Sequence, residues 1–393
     1  MKKKFSAFFI FLACAVLFGC FSGFTKKTAF ADQTFDIKSK SAYLCDGISG
    51  SVIYAKNENE RLPIASMCKI MTLLLSFEEI DNGNLKLDEQ IVVSSNASGM
   101  GGSQVFLEAN ASYSAGELIK GIVVASANDA CVAMAERISG TEQAFIEKMN
   151  NRASELGMTN TNFVNCTGLQ KPGQYSSAKD VAKMFCELIK HQDYFRFSRI
   201  WTDRITHPND RITEISNTNK LVRFYQGCDG GKTGYTAEAG HCLSACATRN
   251  GVRLISVVIS APDSKTRFKE VSSMFNYGFA NFTNKLVVDN QKILDVEVKV
   301  LGGKKDRIEV VPERPYYIFS PINQKVSVEC DFKPIIKVVA PINKGDVVGQ
   351  LLIFKDGIQV DAINVLSNEC VLKKTYFDYI KNIGEKWALI DIS

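Results

Sequence analysis

Three short polar motifs constrain this chain most: Ser66-Met67-Cys68-Lys69, Ser126-Ala127-Asn128 and Lys232-Thr233-Gly234. If they serve one purpose, the fold must draw three distant segments into a single cleft. Each motif alone is weak, because patterns this short recur by chance. Together they hold a nucleophile, a base, a proton relay and a carboxylate anchor, the set that serine acyl transfer needs when no histidine is available. Only His191, His207 and His241 occur in the chain, and none lies in a triad-like context. No Gly-x-Ser-x-Gly elbow surrounds Ser66, so lysine is the natural base.

The N-terminus reads as a secretory leader. Lys2, Lys3 and Lys4 precede an uncharged apolar stretch over 5–24, and Ala29-Phe30-Ala31 is a small-x-small cleavage site. A membrane-spanning helix is the alternative for this stretch, and lipidation at Cys20 is a third. Removing residues 1–31 takes away five lysines and no acids, so the formal charge of +5 falls to zero. Nothing in that balance points to nucleic acid or an acidic partner. What remains is too long for a typical single core, which implies two domains. Ten cysteines lie beyond the leader, mostly inside apolar runs and without metal-ligand spacing. They read as buried free thiols.

Hydrophobic patterning gives the elements. Two β-type runs flank a Gly-rich turn over 41–56, and a helix is expected over 64–82 after Pro63. Residues 114–157 have helical periodicity, with Ser114 placed to cap toward Glu117. Residues 242–249 and 252–261 flank Asn250-Gly251, a strong hairpin signal. A helix follows over 265–279. Strands at both ends with helices between imply an α+β domain, one antiparallel sheet flanked by helices, over 32–285. From 286 to 371 the chain is β-branched, alternating and turn-rich, so a second, smaller all-β domain is expected. Over 372–393 apolar residues recur at helical spacing, with Lys373, Lys374, Lys381 and Lys386 on other faces. This reads as an amphipathic helix on a membrane surface; a docked terminal helix or a last strand are the alternatives.

Local chemistry suits the motifs. Lys69 lies one helical turn from Ser66 and can take its proton only when neutral, which burial and a nearby like charge such as Lys232 promote. Gly234 on an edge strand allows a substrate backbone to approach. Thr233 can hydrogen-bond a carboxylate. Helix capping for Ser66, Ser126 and Asn128, and an incidental turn at Lys232, are the bland alternatives; all would have to hold at once.

The segments resemble those of the penicillin-recognising serine enzymes, most of all the low-molecular-mass D-alanyl-D-alanine carboxypeptidases. The likeness extends from Pro63 to Thr72, through Asn165-Cys166-Thr167-Gly168-Leu169 with Ser176-Ser177-Ala178, and from Lys232-Thr233-Gly234-Tyr235-Thr236 to Gly240. It implies an acyl-enzyme at Ser66, which attacks the bond between the terminal D-alanines of a peptidoglycan stem peptide. Lys69 acts as base in this scheme. Ser126 and Lys232 pass a proton to the leaving D-alanine, and Asn128 holds the substrate amide and orients Lys69. The N–H groups of Ser66 and Tyr235 form an oxyanion hole, and Thr233 and Arg267 bind the terminal carboxylate. β-Lactams become covalent inhibitors, and neither metal nor organic cofactor is implied. Such enzymes commonly have a β-rich second domain and a C-terminal amphipathic anchor, which implies an exported, peripherally membrane-attached protein. The chain departs from the pattern at Cys68, a rival nucleophile expected to face away from Ser66, and at Tyr175, where relatives often carry histidine. Two rival readings are a serine β-lactamase and a catalytically silent wall-associated binding protein. A β-lactamase would carry a Glu-x-x-x-Asn segment between the second and third motifs, whereas Glu147-Lys148-Met149-Asn150 does not have that spacing and looks helical.

Overall fold

The computed structural model describes residues 36–388, so the leader expected over 1–31 lies outside the described residues. β1 (Ser41–Asp46) and β2 (Val52–Lys56) form the first hairpin. Two small hairpins follow, β3 (Gln90–Val92) with β4 (Ser112–Ser114) and β5 (Thr202–Thr206) with β6 (Ile212–Ser216). β7 (Cys228–Thr236), β8 (Gly240–Arg249) and β9 (Val252–Ala261) complete the strands of the first domain. The main sheet has the order β2-β1-β9-β8-β7 and is antiparallel throughout. Both ends of the segment thus build one sheet, with β1 paired to β9 from Ser41↔Ile259 to Asp46↔Leu254. Asn250 and Gly251 both have positive φ (49° and 75°), as a tight hairpin matching the strand twist requires. β7 is left as an edge strand.

The helices depart from the expected pattern at two places, both at motifs. Ser66 lies in a 3-10 turn, Ala65–Cys68, and α1 (Lys69–Asp81) begins only at the lysine. The helical stretch over 114–157 is several pieces. Ser114 Oγ accepts from Glu117 N at 3.1 Å and starts α2 (Ala115–Lys120), which runs into a π-helical turn, Gly121–Ala125. Ser126 then adopts φ 64°, ψ 33°, a left-handed conformation that ends the helix. α3 (Asn128–Ser139) and α4 (Glu142–Glu155) follow. α1 is buried from Lys69 to Phe77 and packs against α3 and α5 (Ala178–Leu188), while α6 (Ser264–Asn281) covers β8 and β9. Phe77, Phe145, Phe163 and Phe185 are wholly buried around this frame. At about 1.5–3 kcal/mol for each large apolar side chain, such burial makes a rigid floor under the motifs.

The strand Phe282–Val288 leaves α6 and pairs with Tyr316–Pro321. It starts four residues before the expected boundary, because Phe282 stacks on Phe319 with ring centroids 5.1 Å apart. A four-stranded antiparallel sheet, Val310–Pro312, Ile358–Ser367, Val347–Lys355 and Val328–Pro334 in that order, surrounds a separate core that includes Val300, Ile353, Ile363 and Val365. The tail is helical: α7 (Tyr376–Ala388) starts at a reciprocal cap in which Thr375 and Asp378 bond one another's backbone. Lys374 N donates to Gly302 O at 2.8 Å, tying the start of α7 to the second domain. Among the described residues no helix is long and apolar enough to cross a membrane. All ten described cysteines are free; seven are buried, and Cys330 and Cys370 are exposed.

Candidate active site

The first and third motifs meet through two glycines. A Cβ on Gly234 in β7 would lie 2.6 Å from Ile64 O and 3.2 Å from Ser66 N. A Cβ on Gly168 would lie 2.0 Å from Ala65 O, and Gly168 has φ 81°. Only residues without a side chain fit against the Ser66 turn at these places. The turn is itself strained, with Ala65 at φ 46°. Such departures are concentrated at functional sites. Ser66 is half-buried, with its hydroxyl beside Lys69.

Lys69 has no exposed surface. Its Nζ lies 3.0 Å from Ser66 Oγ, 2.7 Å from Asn128 Oδ1 and 2.5 Å from Thr167 O. Three oxygens thus surround the amine; when it is neutral, its two N–H groups serve Asn128 Oδ1 and Thr167 O, and its lone pair faces the serine hydroxyl. Thr167 belongs to a turn organised by Asn165, whose Oδ1 accepts from Gly168 N at 2.7 Å and Thr167 N at 3.2 Å. Cys68 points elsewhere: it is fully buried, and its Sγ donates to Asn165 O. Burial pushes its thiol far above the usual cysteine range.

The second motif is held from behind. Asn128 Nδ2 donates to Gly101 O at 2.6 Å and Asn128 N to Ser103 O at 2.7 Å. The next residue, Asp129, is wholly buried, and its carboxylate accepts from Val105 N, Leu107 N and its neighbour Ala130 N. An acceptor-only group therefore clamps the 101–107 loop beside Asn128. The clamp has no motif, and although the segment Asn165 to Leu169 stands out in the sequence, the bond from Lys69 to the Thr167 carbonyl does not. Asp129 looks like any helix-start acid, and a backbone carbonyl has no residue identity.

β7 holds the third motif. Lys232 is 2% exposed and Thr233 is 6% exposed, while Tyr235 stands out at 60% and stacks on His241. The strand is propped by Tyr194, whose hydroxyl accepts from Gly231 N at 3.0 Å, and by a two-point ion pair between Asp229 and Arg253 at 2.9 and 3.0 Å. Arg267 is buried behind the strand and donates to Gly234 O at 3.1 Å and Cys242 O at 3.3 Å; its Nε has no hydrogen-bond partner among the described residues. Arg267 thus bonds the main chain next to Thr233 through one terminal nitrogen, while its Nε–H stays open.

Desolvation is the main electrostatic influence on both lysines. Burial holds Lys69 below the usual lysine range, and it holds Lys232 well below that range, with the Lys69 charge as the second cause. The thiols around Lys69 supply no counter-anion near neutral pH, because burial pushes Cys131 up to about 12 and Cys166 well above the usual cysteine range. A neutral Lys69 in contact with Ser66 Oγ can accept its proton. Two of the three histidines bond elsewhere, His191 to Asp81 and His207 to Tyr113 and Thr213, while His241 stacks on Tyr235 and its Nδ1 has no hydrogen-bond partner among the described residues. Glu147 has the four-residue spacing of a deacylating segment with Asn151, rather than with Asn150. Both line a cavity of about 880 Å³ with Glu78, Asp81 and Lys148 at the end of α1 and do not approach Ser66.

Residues 26–263 match the family described as D-alanyl-D-alanine carboxypeptidase. The chain belongs to that family. Residues 282–373 match the family described as penicillin-binding protein 5, C-terminal domain. The chain is 40% identical to the D-alanyl-D-alanine carboxypeptidase DacF of Bacillus subtilis, over 93% of this chain and 94% of the relative. It is 32% identical to DacC of Escherichia coli, over 92% and 91%. Penicillin-binding protein 5 from Haemophilus influenzae superposes with a TM-score of 0.67 at 30% identity, covering 87% of this chain and 99% of that one. A Streptococcus pneumoniae peptidoglycan synthesis regulatory factor, PBP3, gives 0.72 at 25% identity, covering 86% and 100%. Members of the matched family are D-alanyl-D-alanine carboxypeptidases, which are serine hydrolases, and this chain joins a mixed helix-and-sheet domain to a C-terminal all-β domain.

Proposed function

We propose that this carboxypeptidase removes the terminal D-alanine from peptidoglycan stem pentapeptides through an ester at Ser66. The observation that carries this reading is the wholly buried Lys69 amine, 3.0 Å from Ser66 Oγ and fixed by Asn128 and Thr167. Lys69 takes the Ser66 proton as Oγ attacks the carbonyl of the penultimate D-alanine. The N–H groups of Ser66 and Tyr235 receive the oxyanion. The C–N bond then breaks, and Ser126 with Lys232 delivers a proton to the departing amine. Water hydrolyses the ester and frees Ser66. Gly234 lets the peptide lie along the β7 edge, Asn128 bonds its amide, and Thr233 and Arg267 take its carboxylate. A β-lactam opens on Ser66 in the same way and leaves a long-lived adduct. Penicillin should add once to the intact protein, and peptide mapping should find the adduct on the Ser66 peptide. An adduct on Cys68, or none, would contradict the assignment.

The address is part of the same proposal. The substrate lies outside the cytoplasm, and the charged-apolar leader over 1–31 suits export. Tyr376, Phe377, Ile380 and Ile383 of α7 expose about half to four-fifths of their surfaces, while Lys373, Lys374 and Lys381 are basic neighbours. That combination supports attachment of α7 to a membrane surface.

A further inference from the structure

Thr218 belongs to none of the three motifs, yet its Oγ1 lies 2.9 Å from Thr233 Oγ1. It is half-buried in the segment between β6 and β7, and that segment is pinned on both sides. Asn217 and Asn219 are 5% and 1% exposed. Asn217 Nδ2 donates to Ser198 O at 3.1 Å and Ile200 O at 2.8 Å, and its Oδ1 accepts from Asn219 N at 2.9 Å. Asn219 Nδ2 donates to Gly230 O in β7 at 3.2 Å. Thr218 N itself donates to Val124 O at 3.2 Å, two residues before Ser126. A half-buried hydroxyl is therefore fixed between the second and third motifs, in contact with the proposed carboxylate ligand.

Proton counting gives this contact a direction. A carboxylate accepts only, and a threonine hydroxyl has one proton to give. In the free protein Thr233 donates that proton to Thr218 Oγ1. When Thr233 turns its proton to an arriving carboxylate, its oxygen is left with lone pairs and no donor. Thr218 is placed to supply one by rotating its own hydroxyl. We propose that Thr218 is a positioning residue that selects substrates with a free terminal carboxylate: it donates to Thr233 Oγ1 while Thr233 donates to the substrate. Hydrogen bonds in such a chain polarise one another, so the Thr233–carboxylate bond is stronger with Thr218 behind it. This rests on the reading of Thr233 as a carboxylate ligand.

The test compares the purified protein with Thr218→Val, Thr218→Ala and Thr218→Ser on two substrates. One is a peptide ending in D-Ala-D-Ala with a free carboxylate; the other is an activated D-alanyl ester with no carboxylate. Valine keeps the shape and removes the donor. Thr218→Val and Thr218→Ala should lower kcat/KM on the peptide about tenfold, mainly through KM, as expected for one lost hydrogen bond used in ground and transition states alike. Ester acylation should stay within about twofold, and Thr218→Ser should restore the peptide reaction. Equal losses on both substrates, an unchanged peptide reaction, or a serine variant as impaired as valine would overturn the inference. A wild-type protein that acts on the ester but not on the peptide would overturn the carboxypeptidase reading beneath it.

Discussion

A lysine with no exposed surface, three oxygens around its Nζ and a second buried lysine nearby is a poor structural element and a good base. Burial of an ammonium is costly unless it is paired or neutral. Here burial lowers the pKa of Lys69, which enlarges the neutral fraction available to Ser66. The sign follows directly. Below the lowered pKa, Lys69 carries its proton and cannot accept another; above it, the amine is free. The second-order rate of Ser66 acylation by penicillin should therefore rise with pH through a midpoint below the ordinary lysine range. Lys69→Arg, which stays charged at every working pH, should lose roughly 10³-fold in that rate, within the usual span for general-base catalysis. A midpoint at the ordinary lysine range, or an arginine variant of near-normal rate, would remove Lys69 from this role.

The Ser66 turn, β7 and the Thr167 turn form one packed contact, and the glycines set its spacing. Gly168→Ala would force a Cβ against Ala65 O at a φ that alanine rarely adopts. The Ser66 turn must then shift, and a displacement near 1 Å is enough to cost about 100-fold in rate. Penicillin acylation of Gly168→Ala should fall by about that factor while the melting temperature changes only modestly. An unchanged acylation rate would mean that the turn does not depend on this contact. At this scale the sequence was most informative where chemistry sits in contiguous side chains. Ser66, Lys69 and Asn128, whose side chains the fold brings together, come from two motifs that stand out in the sequence, and the 41–56 and 242–261 hairpins stand out in the same way. What escaped has no local signature. The Thr167 carbonyl, the Asp129 clamp and the Thr218–Thr233 contact arise from packing between segments far apart in sequence. The apolar run that stops at Ala125 does mark the break at Ser126, but apolar spacing foretells neither the π-helical turn before it nor the left-handed backbone of Ser126 itself.

Across the whole molecule, a β-rich second domain carries a helix whose apolar side chains are exposed, and an edge strand presents the third motif. The tail can be removed without touching the catalytic frame. Lys373 and Lys374 bond Gly303 and Gly302, so a cut after Thr375 keeps these backbone ties and gives up contacts made by α7 itself, such as Asp378 with Lys304 at 3.5 Å. Truncation of residues 376–393 should abolish sedimentation with anionic lipid vesicles and leave hydrolysis of short peptides within about twofold, since α7 lies outside the site. A truncated protein that still sediments would end the attachment proposal. If Ser66 makes this fold a carboxypeptidase, the most direct measurement is D-alanine released from a peptide ending in D-Ala-D-Ala, by the wild type and by Ser66→Ala side by side. The expected result is steady release by the wild type and none above background by the variant. Equal release by both, or none by a correctly folded wild type, would contradict it.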